Sequence, residues 1–161
     1  MENYIIRKIN KEDNSEVAQL IRAVFDELDI PKVGTAYEDP YLDLMYEEYN
    51  KPKSVYYVVE NNGRIVGVAG IAPLANEADN ICELQKMYFL PETRGIGIGT
   101  EIMEVCLQSA RNFGFEKCYL ETMPFMHDAQ KLYRKSGFEY IDAPMGSTGH
   151  VSCPVWMLKK L

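Results

Sequence analysis

Residues 90–104, LPETRGIGIGTEIME, place Gly95, Gly97 and Gly99 directly behind Arg94 and at the front of a helix-like pattern. Glycine inside a helix costs about 1 kcal/mol relative to alanine, so something near these positions needs bare backbone. A loop between a strand end and a helix start is a common seat for an anion. The first helical turn offers unpaired N–H groups and roughly half a unit of positive charge, and glycine lets a phosphate approach without a Cβ in the way. Two phosphate motifs fail on spacing. A P-loop needs GxxxxGK[ST], and no lysine follows Gly99. The dinucleotide fingerprint GxGxxG meets Thr100 when counted from Gly95 and Ile102 when counted from Gly97. What remains is Arg94-x-x-Gly97-x-Gly99, with Ile96 and Ile98 available to anchor the turn to the core.

Other reactive side chains are sparser. Cys82, Cys106, Cys118 and Cys153 are well separated, form no CxxC pair and read as reduced, mostly buried thiols. His150 and Cys153 have HxxC spacing but lack a second close ligand pair, so no metal is expected. The formal net charge of −7 argues against nucleic acid as a partner. Residues 26–48 carry eight acids (Asp26, Glu27, Asp29, Glu38, Asp39, Asp43, Glu47, Glu48) against one base, Lys32. That segment reads either as a solvated helical face or as a rim that attracts a cationic substrate.

The elements that position these residues follow from periodicity. YIIRKI is a first strand. Asp13 and Glu16 suggest a capping box ahead of Val17, Leu20, Ile21, Val24, Phe25 and Leu28 at helical spacing. A second helical piece is predicted over EDPYLDLMYEEYN. The strands SVYYVVE and RIVGVAGIAPL are joined by NNG, a hairpin signal, and NICELQKMYFL extends the meander. Ile98, Ile102, Cys106, Ala110 and Phe113 mark the helix behind the glycines. EKCYLET is a strand, FMHDAQKLYRKS a helix with Gly137 beyond its end, and FEYID and CPVWMLKKL are closing strands. The order β-α-α-β-β-β-α-β-α-β-β places the chain in the α/β class as an α+β mixed sheet with helices on both faces. A length of 161 residues suits a single domain, 1–161. The longest apolar run, residues 66–75, is too short and too interrupted to span a membrane, and MENYIIRKIN has no signal-peptide core. A cytoplasmic location is the expectation.

MYFLPETRGIGIGTEIME followed about 40 residues later by DAQKLYRKSGF, with Ala129, Tyr133, Gly137 and Phe138 in AxxxYxxxGF spacing, resembles the GNAT superfamily of acetyl-CoA-dependent N-acetyltransferases. The resemblance covers essentially the whole chain. One departure stands out: the family often has asparagine seven residues before the tyrosine, where this chain has Met126. The resemblance implies the GNAT fold, acetyl-CoA as co-substrate without a metal, and direct acetyl transfer in a ternary complex. The acceptor would be a primary amine of a small molecule or peptide, cationic if the acidic segment borders it. Backbone groups of Met87, Tyr88 and Phe89 would pair with the pantetheine arm. N–H groups of Gly95, Ile96, Gly97, Ile98, Gly99 and Thr100 would cradle the diphosphate, supported by Arg94. Tyr133 would protonate the departing sulfur, Glu83 would take the amine proton, and His150 is the alternative base. Each has a plainer reading: Tyr133 as packing, Glu83 as a strand carboxylate, His150 as an exposed loop residue. Two other functions stay open, an acyl-CoA-binding sensor without turnover and a transferase of longer acyl chains. Many relatives dimerise, so a homodimer is compatible, although no sequence feature compels one.

Overall fold

Strands β1 (Tyr4–Lys8), β2 (Val55–Asn61), β3 (Arg64–Pro73), β4 (Ile81–Phe89), β5 (Lys117–Thr122), β6 (Glu139–Ile141) and β7 (Val155–Lys160) form one sheet in the order β1-β2-β3-β4-β5-β7-β6. The computed structural model describes residues 3–161. Every neighbouring pair is antiparallel except β4–β5. In β2, Val55 and Val59 join one core while Tyr56 and Val58 join the other, so both sheet faces are covered. On one face α1 (Asn14–Glu27) packs Val17, Leu20, Ile21, Val24 and Phe25 over β3 and β4, beside α2 (Met45–Tyr49). On the other, α3 (Ile98–Asn112) buries Ile98, Ile102, Met103, Cys106, Leu107 and Ala110, and α4 (His127–Lys135) adds Tyr133 to the same core. The element order and the two-sided mixed sheet agree with the sequence reading.

The feature that shapes the site is the parting of β4 from β5. They pair only at Ile81↔Lys117, Cys82↔Cys118 and Glu83↔Tyr119, although both strands run on. Against β3 the register slips by one residue: Val68 faces Tyr88, but Gly70 faces Gln85. Lys86 sits in this bulge at φ 48°, and a bulge bends its strand and strengthens the local twist. The bulge is held from two sides. The Tyr56 hydroxyl donates to the Lys86 carbonyl at 2.6 Å. The Lys86 Nζ, on a side chain only 2% exposed, lies 2.6 Å from Asp39.

Burial alone would raise the Asp39 carboxyl, but the His150 hydrogen bond and the Lys86 charge bring it below the ordinary range. Burial likewise works to lower Lys86, and Asp39 and Tyr41 together, through charge and hydrogen bonds, outweigh it. Replacing Asp39 by asparagine leaves a buried ammonium without its counter-charge, so urea melts at pH 7 should show a loss of about 3 kcal/mol. Because the folded carboxyl titrates below its unfolded value, the contribution is complete above about pH 4 and fades as the pH falls through the folded value. The difference between variant and wild type should therefore shrink in acid.

Two local expectations need correction. The cap at the first helix lies three residues earlier than predicted. A single 3₁₀ turn, Lys11–Asp13, precedes α1; Asp13 accepts the Asn10 N–H at 2.7 Å and pairs with Arg7. Glu16 instead accepts the Ile65 N–H of β3 at 2.8 Å. The predicted second helix shrinks to α2, because Pro40 disfavours helical backbone at the residue before it, and Asp39 has ψ 126°.

Candidate active site

Where β4 and β5 part, a cavity of about 510 Å³ opens between Met87, Tyr88 and Phe89 of β4, the glycine loop, and α4. The glycines divide into two kinds. Gly95 and Gly97 have φ of +79° and +90°, and a Cβ on either would meet nothing within 4 Å. They supply left-handed backbone that other L-residues resist, and they leave the space beside the loop open. Gly99 has an ordinary φ, but a Cβ there would lie 3.2 Å from Leu132 Cδ2, so it lets α3 and α4 approach. Gly97 caps α3, whose first intrahelical bond runs from the Glu101 N–H to the Gly97 carbonyl at 3.2 Å. The N–H groups of Ile98, Gly99 and Thr100 thus have no partner within the helix. Ile98 anchors the turn in the core as expected, whereas Ile96 is 51% exposed and does not.

Arg94 lines the same cavity, yet its guanidinium is already engaged. It forms a two-pronged pair with Glu27 of α1, both contacts at 2.9 Å, and donates to the Phe89 carbonyl at 2.8 and 3.2 Å. Its visible work is to tie the loop to α1 and to the end of β4. Met126, at the N-cap of α4, lines this cavity and the smaller one beyond it.

That smaller cavity, about 70 Å³, contains Glu83, Glu121, His150 and Cys153, and shares Met87, Tyr88, Met126 and Tyr133 with the larger. Tyr133 stands at the junction, its ring edge-on to Phe138. Burial pushes its hydroxyl up to about 12. Cys153 nearby is pushed up to about 12 with burial as the main cause. Burial therefore disfavours both a thiolate and a phenolate here.

Glu83 is 6% exposed, and burial raises its carboxyl to about 7 against the opposing hydrogen bond from Gln85. Gln85 Nε2 donates to Glu83 Oε1 at 2.6 Å, and the Tyr49 hydroxyl in turn holds the Gln85 carbonyl oxygen. His150 Nε2 lies 3.0 Å from Asp39 Oδ1. The two sequence candidates for the base, 67 positions apart in the chain, are thus brought to one cavity. Sequence reasoning missed Glu121 beside them. Its signal was faint: one acid in the apolar strand KCYLET, two residues past Tyr119, which pairs with Glu83.

The acidic segment does not form a bare rim. Asp26 pairs with Lys32, Glu27 with Arg94, Asp39 with Lys86, Asp43 with Arg22 and Glu48 with Lys51. Glu38 accepts the Gly34 N–H and Glu47 the Asn14 side-chain amide.

The Acetyltransferase (GNAT) family model matches residues 21–138. The chain is 44% identical to the uncharacterized N-acetyltransferase YjgM of Escherichia coli K12 across 98% of this chain and 95% of that protein. Among solved structures, a GNAT-family acetyltransferase from Staphylococcus aureus Mu50 superposes with a TM-score of 0.87 at 21% identity, covering 99% of each chain. The PaiA N-acetyltransferase of Thermoplasma acidophilum, solved in complex with coenzyme A, has a TM-score of 0.69 at 19% identity and covers 99% of each chain. At such identities these two likenesses speak for the fold. Together with the family match and the 44% identical relative, they establish that this chain belongs to the GNAT family of acetyltransferases.

Proposed function

We infer that this chain moves the acetyl group of acetyl-CoA onto the nitrogen of a primary amine, within a ternary complex and without an acyl-enzyme. The observation that carries this reading is the meeting of the glycine-mouthed cavity and the carboxylate-lined cavity at Tyr133. The residues present fit the co-substrate. Beyond Glu83, β4 no longer pairs with β5, which leaves an edge at Met87, Tyr88 and Phe89 for an extended pantetheine arm. The open glycine loop and the N–H groups at the front of α3 suit a diphosphate.

Acetyl-CoA, when bound, supplies a thioester and a thiol leaving group. The rest falls to the chain's own side chains. An alkylamine near pKa 10.4 is mostly protonated at pH 7, and neutralising it costs about 4.6 kcal/mol. Glu83, raised to about 7, is matched to take that proton near neutrality. His150, with one ring nitrogen turned to Asp39, is placed to assist rather than to lead. A backbone N–H near Tyr88 polarises the reacting carbonyl, and Tyr133 gives its proton to the departing sulfur. The acceptor is a small-molecule or peptide amine that arrives as a cation.

The reading is tested by thiol release from acetyl-CoA across a panel of amines, with acetyl-CoA binding measured in parallel. Tight binding without thiol release on any amine would leave a sensor rather than an enzyme. Gly97→Trp adds a ring where the structure has open space and forces a side chain onto positive φ. It should weaken acetyl-CoA binding at least about tenfold by calorimetry; an unchanged affinity would move the diphosphate away from this loop.

A further inference from the structure

Glu83 and Glu121 face a cavity of mixed lining, in which Phe25, Ile30, Leu120 and Met123 stand beside Thr35, Gln85, Lys86 and His150. Among the described residues, neither carboxylate pairs with a cation. The two basic side chains closest in the lining, Lys86 and His150, are both turned to Asp39. A carboxylate as buried as Glu83 ordinarily has a counter-charge, and here the place for one is the cavity.

The geometry specifies what shape of cation. One ligating atom from each of Glu83, Glu121 and His150 lies within 4.8 Å of the other two. Three acceptors set about 2.8 Å from one nitrogen at tetrahedral angles stand about 4.6 Å apart. Each acceptor is held from behind. Gln85 fixes Glu83, while Thr148 Oγ1 and the Tyr119 hydroxyl donate to the two oxygens of Glu121. A carboxylate has about four lone-pair sites, so both keep capacity toward the cavity. In the tautomer that gives its Nε2 proton to Asp39, the His150 ring keeps Nδ1 as an acceptor, and this nitrogen is the one the seat requires to face the carboxylates.

We propose that Glu83, Glu121 and His150 form a three-acceptor seat for the ammonium of the acceptor, selecting slim aliphatic primary amines that carry no carboxylate on the amine carbon. A primary ammonium has three N–H donors for three acceptors, and a secondary one leaves an acceptor unmet. A carboxylate on the neighbouring carbon would stand beside two others, in a cavity whose described basic side chains, Lys86 and His150, are both turned to Asp39. The volume, about 70 Å³, is a few times the roughly 10–15 Å³ that one water needs, which suits an ammonium and a few methylenes but not a bulky ring. The seat rests on the amine-acetylation reading, so its test separates binding from turnover.

The test follows pentylammonium binding to the full chain by chemical-shift titration at pH 8, with thiol release from acetyl-CoA measured separately. Glu121→Gln should weaken pentylammonium binding at least tenfold while leaving acetyl-CoA affinity unchanged, which also reports an intact fold. In the wild type, N-methylpentylamine and norleucine should each bind at least tenfold more weakly than pentylamine. Norleucine or N-methylpentylamine binding as well as pentylamine overturns the seat, whatever the variant does. So does a Glu121→Gln protein that binds pentylammonium within twofold of wild type. Stoichiometric binding of zinc that displaces pentylammonium and survives competition by excess amine overturns it in favour of a metal site. If pentylammonium binds as expected but no thiol is released, the seat stands and the transferase reading fails.

Discussion

Replacing Glu83 by glutamine should yield a protein that is more stable than the wild type and nearly inactive. The stability half follows from linkage. The Glu83 carboxyl titrates at about 7 in the folded chain against an ordinary value of 4.5, with burial as the main cause. The folded state therefore binds this proton more readily than the unfolded state, and stability falls as the pH rises from about 4.5 to 7. Above that window the cost is complete, about 3 kcal/mol at roughly 1.4 kcal/mol per unit. Glutamine keeps the shape and does not ionise. Denaturant melts of Glu83→Gln should show a gain approaching about 3 kcal/mol at pH 8 and none below pH 4.

The activity half runs the other way. A base that has lost its carboxylate forfeits about 10²–10³ in kcat/KM. The rising limb of the wild-type rate through about pH 7 should disappear with it. Gln85, Glu121, His150 and Lys86 all bear on this carboxyl, so a limb displaced by as much as a unit still reports the same group. A variant within threefold of wild type at pH 7, or a wild type whose stability is flat from pH 4.5 to 8, would remove Glu83 from the base position.

The glycine loop was legible in the sequence because its signal is local. Positive φ, a strand-to-helix turn and a helix N-terminus are written within the six residues of RGIGIG, and each demands a particular residue type. Two contacts escaped notice: a bare Gly99 also lets Leu132 approach, and Arg94 donates to Glu27 and Phe89. The carboxylate-lined cavity is assembled differently. Glu83, Glu121 and His150 come from β4, from β5 and from the loop before β7, and they meet only because β4 and β5 pair for three positions and then separate. That separation depends on a bulge whose occupant, Lys86, is a residue no pattern marks for positive φ. Its stability comes from Asp39, 47 positions earlier in the chain. The same distance explains the acidic segment. Read along the chain it is a block of like charge, whereas in space its members find Arg22, Lys32, Lys51, Lys86 and Arg94.

Tyr133→Phe should lower kcat about 10²-fold or more while leaving both acetyl-CoA affinity and thermal stability within experimental error of wild type. The two plain roles for this residue, acid and packing, predict opposite outcomes. Its ring is buried against Phe138 in the core under α4, and phenylalanine keeps that packing. Among the described residues its hydroxyl has no hydrogen-bond partner, so removing it orphans no neighbour. Stability is thus silent, and the whole effect falls on the step in which sulfur leaves. The proton is available across the working range, because the hydroxyl sits at about 12. The acid then stays protonated, and kcat/KM should rise through about pH 7 and level off, with no falling limb below pH 10 from this group. Apolar surroundings raise a thiol as they raise the phenol, as burial does for Cys153 in the adjoining cavity. A thiolate leaving into apolar surroundings is a stronger base than in water, where the ordinary values leave the transfer uphill by about 2 kcal/mol. A Tyr133→Phe enzyme at the wild-type rate across pH would assign the proton to water and leave Tyr133 a wall between the two cavities.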